Sequence, residues 1–171
     1  MTRYLIIAAL VIGLAALVPR HADDLVALVA AGTDRDVAAG QTDATSGGMR
    51  TLVLKAAGNG HYEVSAHING RPVRSLIDTG ASTVALPLEV ARQAGIAPRA
   101  TDYTMRVNTA NGVVMGAPVR LRELRLGSIR LTNVEALVLP QGALAIPLIG
   151  MSALNRLRTV DIRSGTMRLI Q

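Results

Sequence analysis

The segment Ser75-Leu76-Ile77-Asp78-Thr79-Gly80-Ala81-Ser82 sets one carboxylate at the end of an apolar strand, followed at once by a hydroxyl and a glycine. The apolar residues before Asp78 aim that carboxylate at partly desolvated ground, where an acid–base group has more effect than in open water. An Asp that merely opens a surface turn would look the same locally, so the wider spacing decides. Asn111-Gly112 lies about thirty residues downstream and reads as a tight hairpin turn. Leu148-Ile149-Gly150 lies about seventy downstream, an apolar pair and a glycine opening a short helix.

Other chemistries fall away on residue types. With no Cys, the chain has no disulfide framework, thiol nucleophile, zinc ribbon or iron–sulfur site. Three His stand at 21, 61 and 67. His61, Glu63 and His67 fall on one side of a strand pattern, but no His-Glu-x-x-His spacing accompanies them, so no metal and no cofactor is expected. No Gly-x-Ser-x-Gly elbow supports a Ser/His/Asp hydrolase. Phe and Trp are absent and Tyr occurs three times, which removes the rings that single-stranded nucleic acid would stack on. The net charge is +6, with 18 basic residues of which 17 are Arg. These are scattered along strand patterns, so the expectation is a solvated basic surface and no nucleic-acid partner. Arg120, Arg122, Arg125 and Arg130 in particular read as a solvent-facing strand surface.

The elements that would position Asp78 read mostly with a period of two, broken by turn residues every eight to twelve positions, the pattern of an all-β barrel or sandwich. In residues 61–68, Tyr62, Val64, Ala66 and Ile68 face one way. Asn69-Gly70 then turns the chain into a strand at 73–77 that ends on Asp78. Residues 87–95 form the best helix, with Pro87 in the first turn and Gly95 past the end. Asn111-Gly112 joins strands at 105–109 and 113–119, Gly127-Ser128 leads into a strand at 129–139, a short helix starts at Ser152, and Ser164-Gly165 turns the last pair. Half the chain is apolar, so the core is built of Val, Leu, Ile, Ala and Met.

Residues 1–31 read as a signal or anchor segment. Tyr4 to Val18 is fifteen residues without a charge, between Arg3 and Pro19-Arg20. A spanning helix wants about 20 apolar residues and a signal core about 7–15, so length favours a cleaved signal. Arg20 stands where a small residue is preferred before a cut after Ala22, which favours an uncleaved anchor. Either way the rest of the chain is exported. Residues 32–50 are small, polar and Gly-rich and read as a flexible linker, which puts the folded domain at 51–171.

Three segments together resemble the retropepsin-like aspartic proteases (clan AA), most closely their bacterial membrane-anchored branch. They are Leu76-Ile77-Asp78-Thr79-Gly80-Ala81-Ser82-Thr83, Thr109-Ala110-Asn111-Gly112, and Leu148-Ile149-Gly150-Met151-Ser152-Ala153-Leu154-Asn155-Arg156-Leu157, in the family's order and spacing. The resemblance spans about residues 60–170. It implies a closed acid-protease barrel with one or two short helices. Asp78 would be the catalytic carboxylate, Thr79 would lock the two active-site loops together, and Gly80 would let the backbone approach substrate. Ala81, Ser82, Ala110, Asn111 and Gly112 would contact substrate, the last three near the tip of a closing flap. Leu148, Ile149 and Gly150 would form the loop behind the catalytic strand. Ser82 stands where viral relatives carry a second acid, Ala153 where close relatives commonly carry Phe, and the flap lacks a large aromatic.

Family members carry one Asp-Thr-Gly per chain and complete the site by dimerisation, and this chain also has one. Aspartic proteolysis needs two close carboxylates sharing one proton, and a two-fold homodimer supplies Asp78 twice. The implied activity is an aspartic endopeptidase acting on extended polypeptides; a catalytically inactive binding or dimerisation module of the same fold would look nearly identical. The implied location is the bacterial inner membrane, held by the N-terminal segment with the protease domain in the periplasm, or the periplasm or exterior after signal cleavage.

Overall fold

A computed structural model of the chain describes residues 40–46, 48–109 and 112–171. The N-terminal apolar segment, residues 32–39 and 47 of the expected linker, and the flap residues Ala110 and Asn111 lie outside the described residues. Among the described residues no helix is long and apolar enough to cross a membrane.

Eleven strands make up most of this part: β1 (Gln41–Ser46), β2 (Met49–Lys55), β3 (Tyr62–Ile68), β4 (Arg71–Ile77), β5 (Val84–Pro87), β6 (Met105–Thr109), β7 (Gly112–Leu126), β8 (Ile129–Leu139), β9 (Leu148–Ile149), β10 (Thr159–Arg163) and β11 (Thr166–Ile170). Helix α1 (Leu88–Gln93), a 3-10 turn (Ala100–Asp102) and helix α2 (Met151–Leu154) complete them. One sheet runs β3-β4-β9-β5-β8-β7-β6, and β3 also pairs with β7. That second pairing, Ala66 to Ile68 against Leu126 to Leu124, closes the strands from β3 to β7 into a barrel, with β6 left outside it as an edge strand on β7. The other sheet runs β1-β2-β11-β10.

The expected all-β barrel with short helices is therefore what the chain forms, with an aliphatic core. Val64, Ala66 and Ile68 from β3, Leu121, Leu124 and Leu126 from β7, and Ile129, Leu131 and Val134 from β8 are all buried. Leu52, Leu54, Met167 and Leu169 of the second sheet join the same core cluster. Each Val, Leu, Ile or Met side chain among these contributes roughly 1.5–3 kcal/mol through burial. The Asn69-Gly70 turn follows its chemistry, with both φ angles positive at 50° and 88°. The Asn69 amide then ties the turn to the barrel, donating to Ala94 O at 3.1 Å and accepting from the Glu123 N–H at 3.2 Å.

Residues 41–46 and 49–50 correct the expected linker, because they already form β1 and the start of β2. Composition weighs only apolar burial, whereas β1 is held by hydrogen bonds. It pairs with β2 in an unbroken antiparallel register from Gln41↔Leu54 to Ser46↔Met49. Its side chains also reach the barrel: Gln41 Oε1 accepts from Ser65 N–H at 3.2 Å, and Asp43 Oδ1 accepts from Ser128 N–H at 3.0 Å. A Cβ at Gly127 would fall on the Asp43 carboxylate and push it aside, and the φ of +55° there is one that L side chains rarely adopt. The expected basic face is also a paired one: Arg120 bridges to Glu135 and Arg130 to Glu123, while Arg122 and Arg125 are exposed.

Candidate active site

Asp78 leaves the end of β4 directly after Ile77, which is buried. Its N–H donates to Ile149 O at 3.1 Å, carrying the parallel β4–β9 pairing one residue further. Its carboxylate oxygen Oδ1 accepts from Gly80 N–H at 2.8 Å, and Ala81 N–H donates back to Asp78 O at 3.3 Å. This is an Asx-type turn that aims the half-buried carboxylate outward from a rigid strand end. A Cβ at Gly80 would lie 3.2 Å from Asp78 Oδ1, so glycine leaves that flank of the carboxylate open. Thr79 and Gly80 are exposed.

A second loop braces this turn from behind. Leu76 N–H donates to Pro147 O at 2.9 Å, Met151 N–H to Ala81 O at 2.8 Å, and Ser152 N–H to Ser82 O at 3.0 Å. The Ser152 hydroxyl accepts from Val84 N–H at 2.9 Å and donates to Glu135 O at 2.7 Å, joining the start of β5 to β8. At their closest approach the two loops leave no space for a side chain: a Cβ on Gly150 would sit 2.5 Å from Thr83 O and 2.6 Å from Ala81 O. Leu148-Ile149-Gly150 is thus the support behind Asp78, with Ile149 and Gly150 buried.

In front of Asp78 lies a cleft of about 680 Å³. Gly80, Ala81, Ser82 and Leu148 line it together with Asp78, and Thr79, Ile149, Gly150 and Gly112 do not. The β6–β7 hairpin overhangs it through Met105, Arg106, Val107, Asn108 and Thr109. Gly116, buried at the hairpin's base, packs where a Cβ would meet Val107 Cγ2 at 3.2 Å and Leu139 Cδ2 at 3.3 Å. The tip, where Ala110 and Asn111 were expected to meet substrate, lies outside the described residues, and Gly112 follows it at φ +111°.

Sequence reasoning missed much of the wall. Ala85, Leu137, Leu139, Ala143, Leu144 and Ala145 make the cleft apolar. The unbroken apolar end of β8, Ala136 to Leu139, was a signal for it, since a strand end buried on both faces must be covered by something. The histidine-based metal reading finds less support: Glu63 is engaged by Arg74 in a forked ion pair at 2.6 and 2.9 Å, and His61 precedes β3.

Comparison with known proteins points the same way. Residues 64–156 match the model of the family described as "gag-polyprotein putative aspartyl protease". An uncharacterized protein from the cobV 5' region of Sinorhizobium sp. is 39% identical over 124 residues, 72% of this chain and 53% of that protein. An uncharacterized protein of Rickettsia prowazekii (strain Madrid E) is 34% identical over 107 residues, 63% of this chain and 46% of that one. The chain therefore spans about half the length of the curated relatives it matches. Among solved structures, a retropepsin-like aspartic protease from Rickettsia conorii superposes with a TM-score of 0.63 at 28% identity, covering 76% of this chain and 94% of that one. With the barrel, the braced Asp78 turn and the overhanging hairpin in place, the family match over residues 64–156 settles the assignment: the chain belongs to the gag-polyprotein aspartyl protease family and has its retropepsin-like fold.

Proposed function

We propose that the protein is an aspartic endopeptidase that works as a homodimer, with one Asp78 from each chain at a shared two-fold axis. The observation that carries this reading is the Asp78 carboxylate, which accepts from the Gly80 N–H while the Asp78 backbone N–H donates to the Ile149 carbonyl, at the edge of an apolar cleft under a hairpin. A single carboxylate of this kind cannot act as acid and base at once. Two of them share one proton: the ionised one removes a proton from water as the water oxygen attacks the scissile carbonyl carbon, and the protonated one donates to the carbonyl oxygen. Collapse of the tetrahedral intermediate breaks the C–N bond, and the amine leaves with a proton from the pair.

Thr79, exposed beside Asp78, would meet its counterpart loop, and Gly80 would pass substrate closely. Ala81 and Ser82 on one side and Ala110, Asn111 and Gly112 on the other would hold an extended peptide by main-chain hydrogen bonds. The Leu and Ala lining favours apolar side chains next to the scissile bond. The N-terminal segment would tether the domain at the inner membrane, facing the periplasm.

The test compares wild type with Asp78→Asn on a mixed peptide library from about pH 3 to pH 7. Cleavage by the wild type that vanishes in the variant supports the reading. Cleavage that survives the substitution refutes the aspartic mechanism. A folded, dimeric wild type that cuts nothing points instead to a binding or dimerisation module of the same fold.

A further inference from the structure

The first two residues of α2 hold the segment that runs from the Asp78 turn into β5. Ala81 O accepts from the Met151 N–H at 2.8 Å, Ser82 O accepts from the Ser152 N–H at 3.0 Å, and the Val84 N–H donates to Ser152 Oγ at 2.9 Å. Two of these three bonds go to Ser152. Its hydroxyl also donates to Glu135 O at 2.7 Å, two residues before Leu137 of the cleft wall. A single side chain therefore spaces the Ser82 side of the cleft from its β8 side. Between the clamped groups, the N–H groups of Ser82 and Thr83 have no partner among the described residues, and both residues line the cleft. Unpaired N–H groups on a fixed loop are suited to the carbonyls of an extended peptide.

Asp78 is held by other bonds. Its N–H donates to Ile149 O, its Oδ1 accepts from the Gly80 N–H, and its carbonyl accepts from the Ala81 N–H. None of them passes through Ser152. The loop that meets the peptide and the carboxylate that does the chemistry are braced separately.

We propose that Ser152 is a positioning residue that sets the N–H groups of Ser82 and Thr83 for the substrate backbone, and so acts on peptide binding and not on the chemical step. The inference rests on the peptidase reading and deepens it: part of the substrate's affinity comes from main-chain carbonyls held at a spacing that one hydroxyl fixes. Because the contact is to main chain, it is blind to the peptide's side chains.

The experiment compares full-length wild type, Ser152→Ala, Ser152→Thr and Asn69→Ala on several peptides that the wild type cleaves. Ser152→Ala is expected to raise KM about 5- to 20-fold, by the same factor for every peptide, with kcat within about 2-fold of wild type. The same factor is expected in the dissociation constant when the substitution is carried on Asp78→Asn. Ser152→Thr keeps the hydroxyl and leaves KM within about 3-fold of wild type. Asn69→Ala removes two hydrogen bonds of the β3–β4 turn and leaves KM unchanged, which separates loss of stability from loss of positioning. Where Ser152→Ala does not fold, Ser152→Cys, with a weaker donor and acceptor, takes its place with a smaller rise in KM. The inference is overturned, with the peptidase reading left standing, by any of three results: an unchanged KM, a fall in kcat at unchanged KM, or a rise in KM that Asn69→Ala matches. A folded, dimeric wild type that cleaves no peptide removes the peptidase reading and this inference with it.

Discussion

Gly150→Ala is the substitution on which the architecture of the site depends most. Gly150 has φ −95° and ψ −170°, extended backbone open to any residue, so an alanine meets no dihedral penalty. What it meets is atoms: a Cβ there lies 2.5 Å from Thr83 O, 2.6 Å from Ala81 O and 2.8 Å from Thr83 C, all backbone and unable to rotate away. Forcing one methyl into a closed site costs about 1–3 kcal/mol. Relief by separating the loops stretches the bonds from Met151 N–H to Ala81 O and from Ser152 N–H to Ser82 O, 2.8 and 3.0 Å long. Each is worth about 1 kcal/mol net. The expected destabilisation is about 3–5 kcal/mol, or a fall in melting temperature of about 10–20 °C for a domain of this size. The control is Gly58→Ala, where nothing lies within 4 Å of the new Cβ. Thermal unfolding followed by circular dichroism reads both. A Gly150→Ala protein melting within about 2 °C of the control would refute the view that the two loops are locked by close backbone approach.

Further outcomes follow from the same contacts. Ser152→Ala leaves the Val84 N–H without its acceptor and should cost about 1–3 kcal/mol in urea unfolding; a loss below about 0.5 kcal/mol would mean that the hydroxyl is not the link between β5 and β8. Glu63→Gln should cost less than about 1 kcal/mol despite the close fork with Arg74, because that pair is exposed on the Arg74 side; a loss above about 2 kcal/mol would show it to be structural. The Asp102 carboxyl, held below its ordinary value of 3.8 first by the Arg99 N–H and then by the Arg99 side chain, should titrate below 3.8 by NMR. A lowered folded value means that its contribution is present above pH 3.8 and is lost as pH falls through the lowered value; a midpoint at or above 3.8 contradicts the cap.

The barrel and its turns were legible because alternation and turn chemistry are local. Residues 61–68 alternate, Asn69-Gly70 adopts positive φ, and the strand at 129–139 falls where its apolar pattern puts it. Asp78 was legible for the same reason, as a carboxylate at the end of an apolar run. What stayed hidden depends on partners distant in sequence. β5 and β9 are four and two residues long and exist through parallel pairing with β8 and β4, which no local window shows. β1 is polar and held by Gln41 and Asp43 to residues 24 and 85 positions away, so composition misread it as linker. The cleft wall at Ala143, Leu144 and Ala145 lies outside any strand or helix, and only the folded chain brings it opposite Asp78.

The central claim is that two chains make one site, and subunit mixing tests it most directly. Wild type and Asp78→Asn are unfolded, combined at constant total concentration, refolded together and assayed on a peptide that the wild type cleaves. If each site needs an Asp78 from both chains, an equal mixture retains about one quarter of the wild-type rate, because only a quarter of randomly formed dimers carry both carboxylates. A rate that falls only to about one half would mean that each chain acts alone, and the two-carboxylate account would be wrong.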